Sequence, residues 1–172
     1  MSLETKRIKE LFGYARTLTK EQGVGVMAGR AVGFFKRRFF GKKARYLPAK
    51  QTLDAQRADP AAKTWPTISI LTPLYNTPPQ FLQQFLNSVQ AQTAPNWQLV
   101  LVDASDDAHP DVAKTVQARA AQDKRIVYAK IENKGIAANT NEAAKLATGD
   151  YLALADHDDM LAPHAVYCMG KA

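Results

Sequence analysis

The chain has 172 residues, 46% of them hydrophobic, which is enough for a real core and excludes wholesale disorder. Its single cysteine, Cys168, excludes an intrachain disulfide framework and a cysteine-rich zinc site, and no apolar run approaches the roughly 18–20 residues that span a bilayer. The net charge of +7 is split unevenly, with a balance of +10 over residues 1–63 and −3 over residues 64–172, so a boundary is expected near Lys63-Thr64-Trp65-Pro66.

Met1 to Glu10 mixes charges and lacks the apolar core of a signal peptide, so the chain is expected to be cytoplasmic. Ile8, Leu11, Phe12, Ala15 and Leu18 then recur at helical spacing among Lys6, Arg7, Lys9 and Arg16, which predicts a basic amphipathic helix. Farther on, Phe34, Phe35, Phe39 and Phe40 flank Lys36, Arg37 and Arg38, with Lys42, Lys43 and Arg45 beyond. Such an arm suits peripheral contact with an anionic membrane, at the inner face of the plasma membrane, where each nearby cation adds about 1 kcal/mol. It equally suits a helical hairpin packed on the rest of the protein. Nucleic acid is not expected as a partner, because no recognition motif occurs and the following part is acidic. Leu47 to Thr64 is polar and Ala-rich, with Pro48 and Pro60, and reads as a linker closing the 1–63 segment.

From Pro66 the pattern becomes regular. Short apolar or β-branched runs predict strands at Ile68–Thr72, Trp97–Asp103, Arg125–Ile131 and Tyr151–Asp156. Helical spacing predicts helices over Pro79–Ala91, with Phe81, Leu82, Phe85, Leu86 and Val89, and over Pro110–Gln122, with Val112, Val116 and Ala120 inward. A third helix, Ile136–Ala147, is expected to be stopped by Gly149. Strand and helix alternate as successive β-α units, which predicts an α/β fold with a mostly parallel sheet. A further helix begins near Pro163, and the strand series is expected to continue past Ala172.

Each predicted strand ends in a polar cluster, and ligands of open parallel sheets bind beyond the carboxyl ends of the strands. The last cluster, Asp156-His157-Asp158-Asp159, places two carboxylates two residues apart. On an extended segment these point the same way, as oxygen ligands for Mg²⁺ or Mn²⁺ would. The same residues also suit an acidic turn capping the next helix. Asp103 could accept hydrogen bonds from a base or ribose, or serve the turn through Ser105-Asp106-Asp107. Tyr75 could stack on a base or pack on the sheet edge, while Pro73 fixes the backbone beside Asn76. Asn133-Lys134-Gly135 precedes a helix N-terminus, so Lys134 could approach a phosphate or be merely solvated. Asn141 on that helix could reach back to the crevice. No GxxxxGK[ST] loop and no GxGxxG fingerprint occurs, which argues against a P-loop NTPase and a dinucleotide oxidoreductase.

Taken in order, Ile70-Leu71-Thr72-Pro73-Leu74-Tyr75-Asn76, Leu101-Val102-Asp103, Asn133-Lys134-Gly135-Ile136, Asn141, Ala147-Thr148-Gly149-Asp150-Tyr151 and Asp156-His157-Asp158-Asp159 resemble family 2 glycosyltransferases across residues 67–163. The resemblance implies that residues 64–172 are the Rossmann-like nucleotide-binding half of a GT-A fold. It implies an inverting, divalent-cation-dependent transferase acting from a nucleoside diphosphate sugar, UDP-sugars favoured, to a glycan or lipid-linked acceptor in cell-surface polysaccharide synthesis. The family's metal-binding DxD maps onto Asp156 and Asp158, its base-contacting acid onto Asp103, and its Pro-x-Tyr-Asn onto Pro73, Tyr75 and Asn76. Donor contacts are expected from these residues with Lys134, Asn141 and Asp156. Ala104 stands where the family often has a second Asp, and the family's catalytic base has no counterpart in these residues. The rival expectation is a non-catalytic nucleotide-binding or membrane-docking module.

Overall fold

The computed structural model describes residues 47–172, and the basic arm read from the sequence lies outside them apart from its last stretch. The elements are α1 (Lys50–Ala58), a 3-10 turn (Pro60–Thr64), β1 (Ile68–Leu74), α2 (Pro79–Gln90), β2 (Trp97–Asp103), α3 (Pro110–Gln122), β3 (Ile126–Lys130), α4 (Ile136–Leu146), β4 (Tyr151–Leu154) and α5 (Ala165–Lys171).

The four strands form one sheet in the order β3-β2-β1-β4, with every neighbouring pair parallel. The chain moves outward from β1 through β2 to β3, then returns so that β4 pairs on the other side of β1. The order therefore reverses between β1 and β4, the position at which open α/β sheets leave a crevice beyond their carboxyl ends.

Alternation along the strands sorts the side chains onto two faces. Ile68, Ile70, Leu74, Leu99 and Leu101 pack with Leu82, Phe85, Leu86 and Val89 of α2 and Val112 and Val116 of α3. Leu71, Val100 and Val102 meet Ala143 of α4 on the opposite face. Each large side chain buried this way stabilises the fold by roughly 1.5–3 kcal/mol. Phe81 shares the spacing of the α2 stripe but lies at its rim and is exposed. At the far edge, Tyr151, Leu152 and Leu154 of β4 are also exposed.

Two local expectations change. The segment from Leu47 to Thr64 is not a linker here but forms α1 and the 3-10 turn. Tertiary bonds hold it: Thr93 Oγ1 donates to Gln56 Oε1 at 2.9 Å and Tyr167 donates to Asp59 Oδ2 at 2.7 Å. Gly149 does not act as a left-handed helix cap. Helix α4 ends at Leu146 and Ala147 is already extended. Gly149 is required instead by close packing, because a Cβ there would lie 2.7 Å from Ser69 Oγ, 2.7 Å from Thr67 O and 2.9 Å from Ser69 N. Its N–H donates to Ser69 Oγ at 2.9 Å, and Ser69 in turn donates to Gln98 Oε1 at 2.7 Å.

Candidate functional site

The site is the row of loops beyond the carboxyl ends of the strands. Neighbouring parallel strands stand about 4.8 Å apart, so the four strand ends form a row roughly 14 Å long.

Pro73 lies within β1, opposite Val102 on β2. A residue there would direct its N–H toward β4, where pairing stops at Leu71–Leu154, so the missing donor deprives the sheet of no ladder bond. Tyr75 follows with its side chain half exposed at the end of the strand. Asn76 adopts a left-handed backbone, φ 49°. Its N–H donates to Ser105 Oγ at 2.9 Å and its Nδ2 to Asp106 Oδ2 at 2.8 Å, while Asp106 N–H donates to Asn76 Oδ1 at 3.1 Å. Asn76 thus ties the β1 and β2 loops together rather than standing free. Asp106 also bonds His109 Nδ1 at 2.6 Å. Bonding to His109, then to Asn76, holds the Asp106 carboxyl below its usual range.

Asp103 is fully buried at the end of β2. Its Oδ1 accepts from Ser105 N–H at 2.9 Å, and its Oδ2 accepts from the Tyr128 hydroxyl at 2.9 Å and from Lys130 Nζ at 3.2 Å. Burial by itself would push this carboxyl up, but the bonds from Ser105, Tyr128 and Lys130 outweigh it and hold it below its usual value. Burial and the adjacent Asp103 push the Tyr128 hydroxyl well above its ordinary value, so it remains a donor. Tyr128 and Lys130 had no motif to mark them. Their role follows from the register, which sets Lys130 opposite Asp103.

In the loop after β3, Lys134 is exposed just ahead of α4. Asn141 on α4 is exposed, whereas Asn139 is buried and organises the loop. Asn139 Nδ2 donates to Asn133 Oδ1 at 3.1 Å, and Asn139 Oδ1 accepts Lys134 N–H at 3.1 Å. Gly135, at φ 88°, supplies the turn into α4.

Strand β4 ends at Leu154, two residues earlier than expected. Asp156–Asp159 is a turn, closed by Asp159 N–H to Asp156 O at 3.2 Å, so Asp156 and Asp158 lie two apart on a turn and not on an extended segment. Asp156, Asp158 and Asp159 are exposed, and His157 Nδ1 is buried with no hydrogen-bond partner among the described residues. The segment after the turn is anchored by Ser88 of α2 and by Gln92 just past the end of that helix. Ser88 Oγ accepts Leu161 N–H at 3.1 Å, and Gln92 donates to Ala162 O at 2.8 Å while accepting from Val166 N–H at 2.9 Å. Ser88 carried no sequence signal beyond its place in the predicted helix, and Gln92 lies just past that helix and carried none.

A family model described as glycosyl transferase family 2 matches residues 69–169. The uncharacterized protein y4gI of Sinorhizobium fredii is 41% identical over 103 residues, which are 59% of this chain and 11% of y4gI. The O-antigen biosynthesis protein RfbC of Myxococcus xanthus is 32% identical over 120 residues, 69% of this chain and 9% of RfbC. The crystal structure of S. aureus TarS 1–349 in complex with UDP-GlcNAc superposes with a TM-score of 0.52 at 21% identity, over 61% of this chain and 30% of that one. The chain therefore spans about a tenth of the length of y4gI and of RfbC and under a third of the TarS fragment.

Proposed function

The chain belongs to glycosyl transferase family 2, and on that basis we propose that it forms the donor-binding part of a transferase that moves a sugar from a nucleoside diphosphate sugar to a glycan or lipid-linked acceptor. One observation carries the proposal: the family match over residues 69–169 falls on a parallel GT-A-type sheet whose order reverses between β1 and β4, with the Tyr75 loop and the Asp156–Asp159 turn at that reversal. The name of RfbC supports a role in cell-surface polysaccharide synthesis. Such work would proceed at the cytoplasmic face of a membrane. Among the described residues no helix is long and apolar enough to cross one.

In this reading the exposed ring of Tyr75 lies against the base. Asn76 and Asp103 shape the wall on which the base rests, through the bonds that fix the β1 and β2 loops. Lys134, beside the N-terminus of α4, stands near the diphosphate, where backbone N–H groups and the helix dipole favour negative charge. Asn141, exposed on the same helix, takes up the sugar side of the donor.

Asp156 and Asp158 fit a divalent cation by their chemistry. They are exposed, hard oxygen donors two residues apart on one turn, and Mg²⁺ or Mn²⁺ is commonly held by one or two carboxylates plus substrate phosphates. A pair suffices for that arrangement, although no cluster of three or more such ligands occurs among the described residues. Bound there, the cation would offset charge on the diphosphate leaving group. An acceptor hydroxyl attacking the far side of the anomeric carbon would invert the configuration, and none of the described residues is assigned as its base.

The test is saturation-transfer NMR on this chain with Mg²⁺, offering UDP-GlcNAc, UDP-glucose, dTDP and GDP in turn. Saturation of base and ribose protons of a uridine donor is expected. Absence of transfer to every nucleotide from a folded chain would overturn the proposal.

A further inference from the structure

Leu161, Ala162 and Pro163, just after the acidic turn, are each tied to the end of α2 or to the residues past it. Pro163 O accepts Thr93 N–H at 2.8 Å, beside the bonds that Ser88 and Gln92 make to Leu161 and Ala162. Thr93 is buried and serves a second segment as well, its hydroxyl donating to Gln56 of α1 at 2.9 Å. Helix α5 follows, seven residues long with only Val166 buried. A helix of that length is marginal on its own in water. Its further support comes from the chain ahead of β1. The Tyr167 hydroxyl donates to Asp59 Oδ2 at 2.7 Å, while Asp59 Oδ1 accepts Ala61 N–H at 3.0 Å. The Tyr167 ring meets Trp65 edge-on, with centroids 4.8 Å apart. A Cβ on Gly170 would lie 3.1 Å from Trp65 Cε3, so the α5 backbone rests on the indole. Bonding to Tyr167, then to Ala61, holds the Asp59 carboxyl below its usual range, and the same bond to Asp59 raises the Tyr167 hydroxyl, so donor and acceptor keep these roles at neutral pH. Gln56, Asp59 and Trp65 all precede residues 69–169, the stretch that the family model matches.

We propose that Gln56, Asp59, Trp65, Thr93 and Tyr167 form a brace that positions the Asp156–Asp159 turn for its cation. This rests on the donor-site reading given above and adds the segment ahead of β1 to that site. The five are positioning residues, acting on the turn through Pro163 and α5, which follow Asp159 closely in the chain. A turn that is fixed in advance takes a cation more tightly, because binding no longer has to order it. The gain is bounded by what each bond of the brace contributes.

The experiment follows the EPR signal of free Mn²⁺ as this chain is added in the presence of UDP. Wild type, Tyr167→Phe, Thr93→Val and Val116→Ala are compared, with the thermal transition of each. Tyr167→Phe keeps the ring on Trp65 and loses only the hydroxyl. Thr93→Val keeps the bond to Pro163 and loses only the one to Gln56, so the brace is probed from two sides. Each is expected to weaken Mn²⁺ binding about three- to tenfold, as the loss of one hydrogen bond allows. Val116→Ala opens a cavity in the core against α3, and should lower the thermal transition while leaving Mn²⁺ binding unchanged. Wild-type affinity in both brace variants, or a loss in Val116→Ala as large as theirs, would overturn the brace while leaving the donor site intact. Failure of the wild type to take up Mn²⁺ with UDP would overturn the donor-site reading and this inference together.

Discussion

Asn76 and Asp106 hydrogen-bond each other twice, Asn76 Nδ2 to Asp106 Oδ2 at 2.8 Å and Asp106 N–H to Asn76 Oδ1 at 3.1 Å. The pair joins the loops that follow β1 and β2, and Asn76 makes it from a left-handed backbone, φ 49°. Asparagine visits that region more readily than other residues with a Cβ. Asn76→Gly removes the pair but relaxes the backbone, whereas Asn76→Ala removes the pair and adds strain of about 1–2 kcal/mol. Denaturant titration should therefore place Asn76→Ala below Asn76→Gly in stability by about 1 kcal/mol. The reverse order would show that the left-handed backbone carries no cost here.

Gly149 packs over Ser69 and Thr67 so closely that an added methyl meets two backbone atoms and a hydroxyl within 3 Å. Overpacking of this kind costs about 1–3 kcal/mol. For a chain of this size that corresponds to a fall in Tm of roughly 2–12 °C for Gly149→Ala. An unchanged melting temperature would mean that the loop between α4 and β4 yields freely.

Gln92 joins α2 to the segment after the acidic turn, bonding Ser88 O, Ala162 O and Val166 N–H. Gln92→Leu keeps the bulk but leaves the buried Val166 N–H without an acceptor, a loss of about 1–3 kcal/mol. Hydrogen exchange should quicken at Leu161 and Val166 more than in β2. Equal protection in the variant would show that Gln92 does not anchor the turn.

The carboxyl of Asp103 is held below its usual value in the folded chain, the bonds from Ser105, Tyr128 and Lys130 exceeding the effect of burial. A depressed carboxyl contributes stability above its unfolded value of 3.8 and loses it as pH falls below 3.8 through the folded value. Asp103→Asn should therefore be less stable than wild type at pH 6–7, with the gap narrowing below about pH 4. Thermal unfolding across pH 7 to 3 measures this, and a gap that stays constant would contradict it.

Strand β2 and helix α3 were legible residue for residue. β2 is an unbroken apolar run closed by Asp103, and α3 opens on Pro110 and carries Val112 and Val116 at helical spacing. Helix α1 was not legible, because it buries none of its own residues and so shows no apolar stripe. It depends on bonds from Thr93 and Tyr167, which lie far away in sequence. The same limit applies at the site. Tyr75, Asp156 and Asp158 announce themselves by type and spacing. Lys130, Tyr128, Asn139 and Gln92 are ordinary polar residues until strand register and helix packing give them partners.

In the proposed function this crevice takes a nucleoside diphosphate sugar through a divalent cation on Asp156 and Asp158 of the acidic turn. Calorimetric titration of UDP-GlcNAc into the wild-type chain and Asp158→Ala, each with Mn²⁺ and with EDTA, measures it. Binding by the wild type with Mn²⁺, a large loss in EDTA, and equally weak binding by Asp158→Ala in both conditions are expected. Binding that is indifferent to Mn²⁺ and to Asp158 would contradict it.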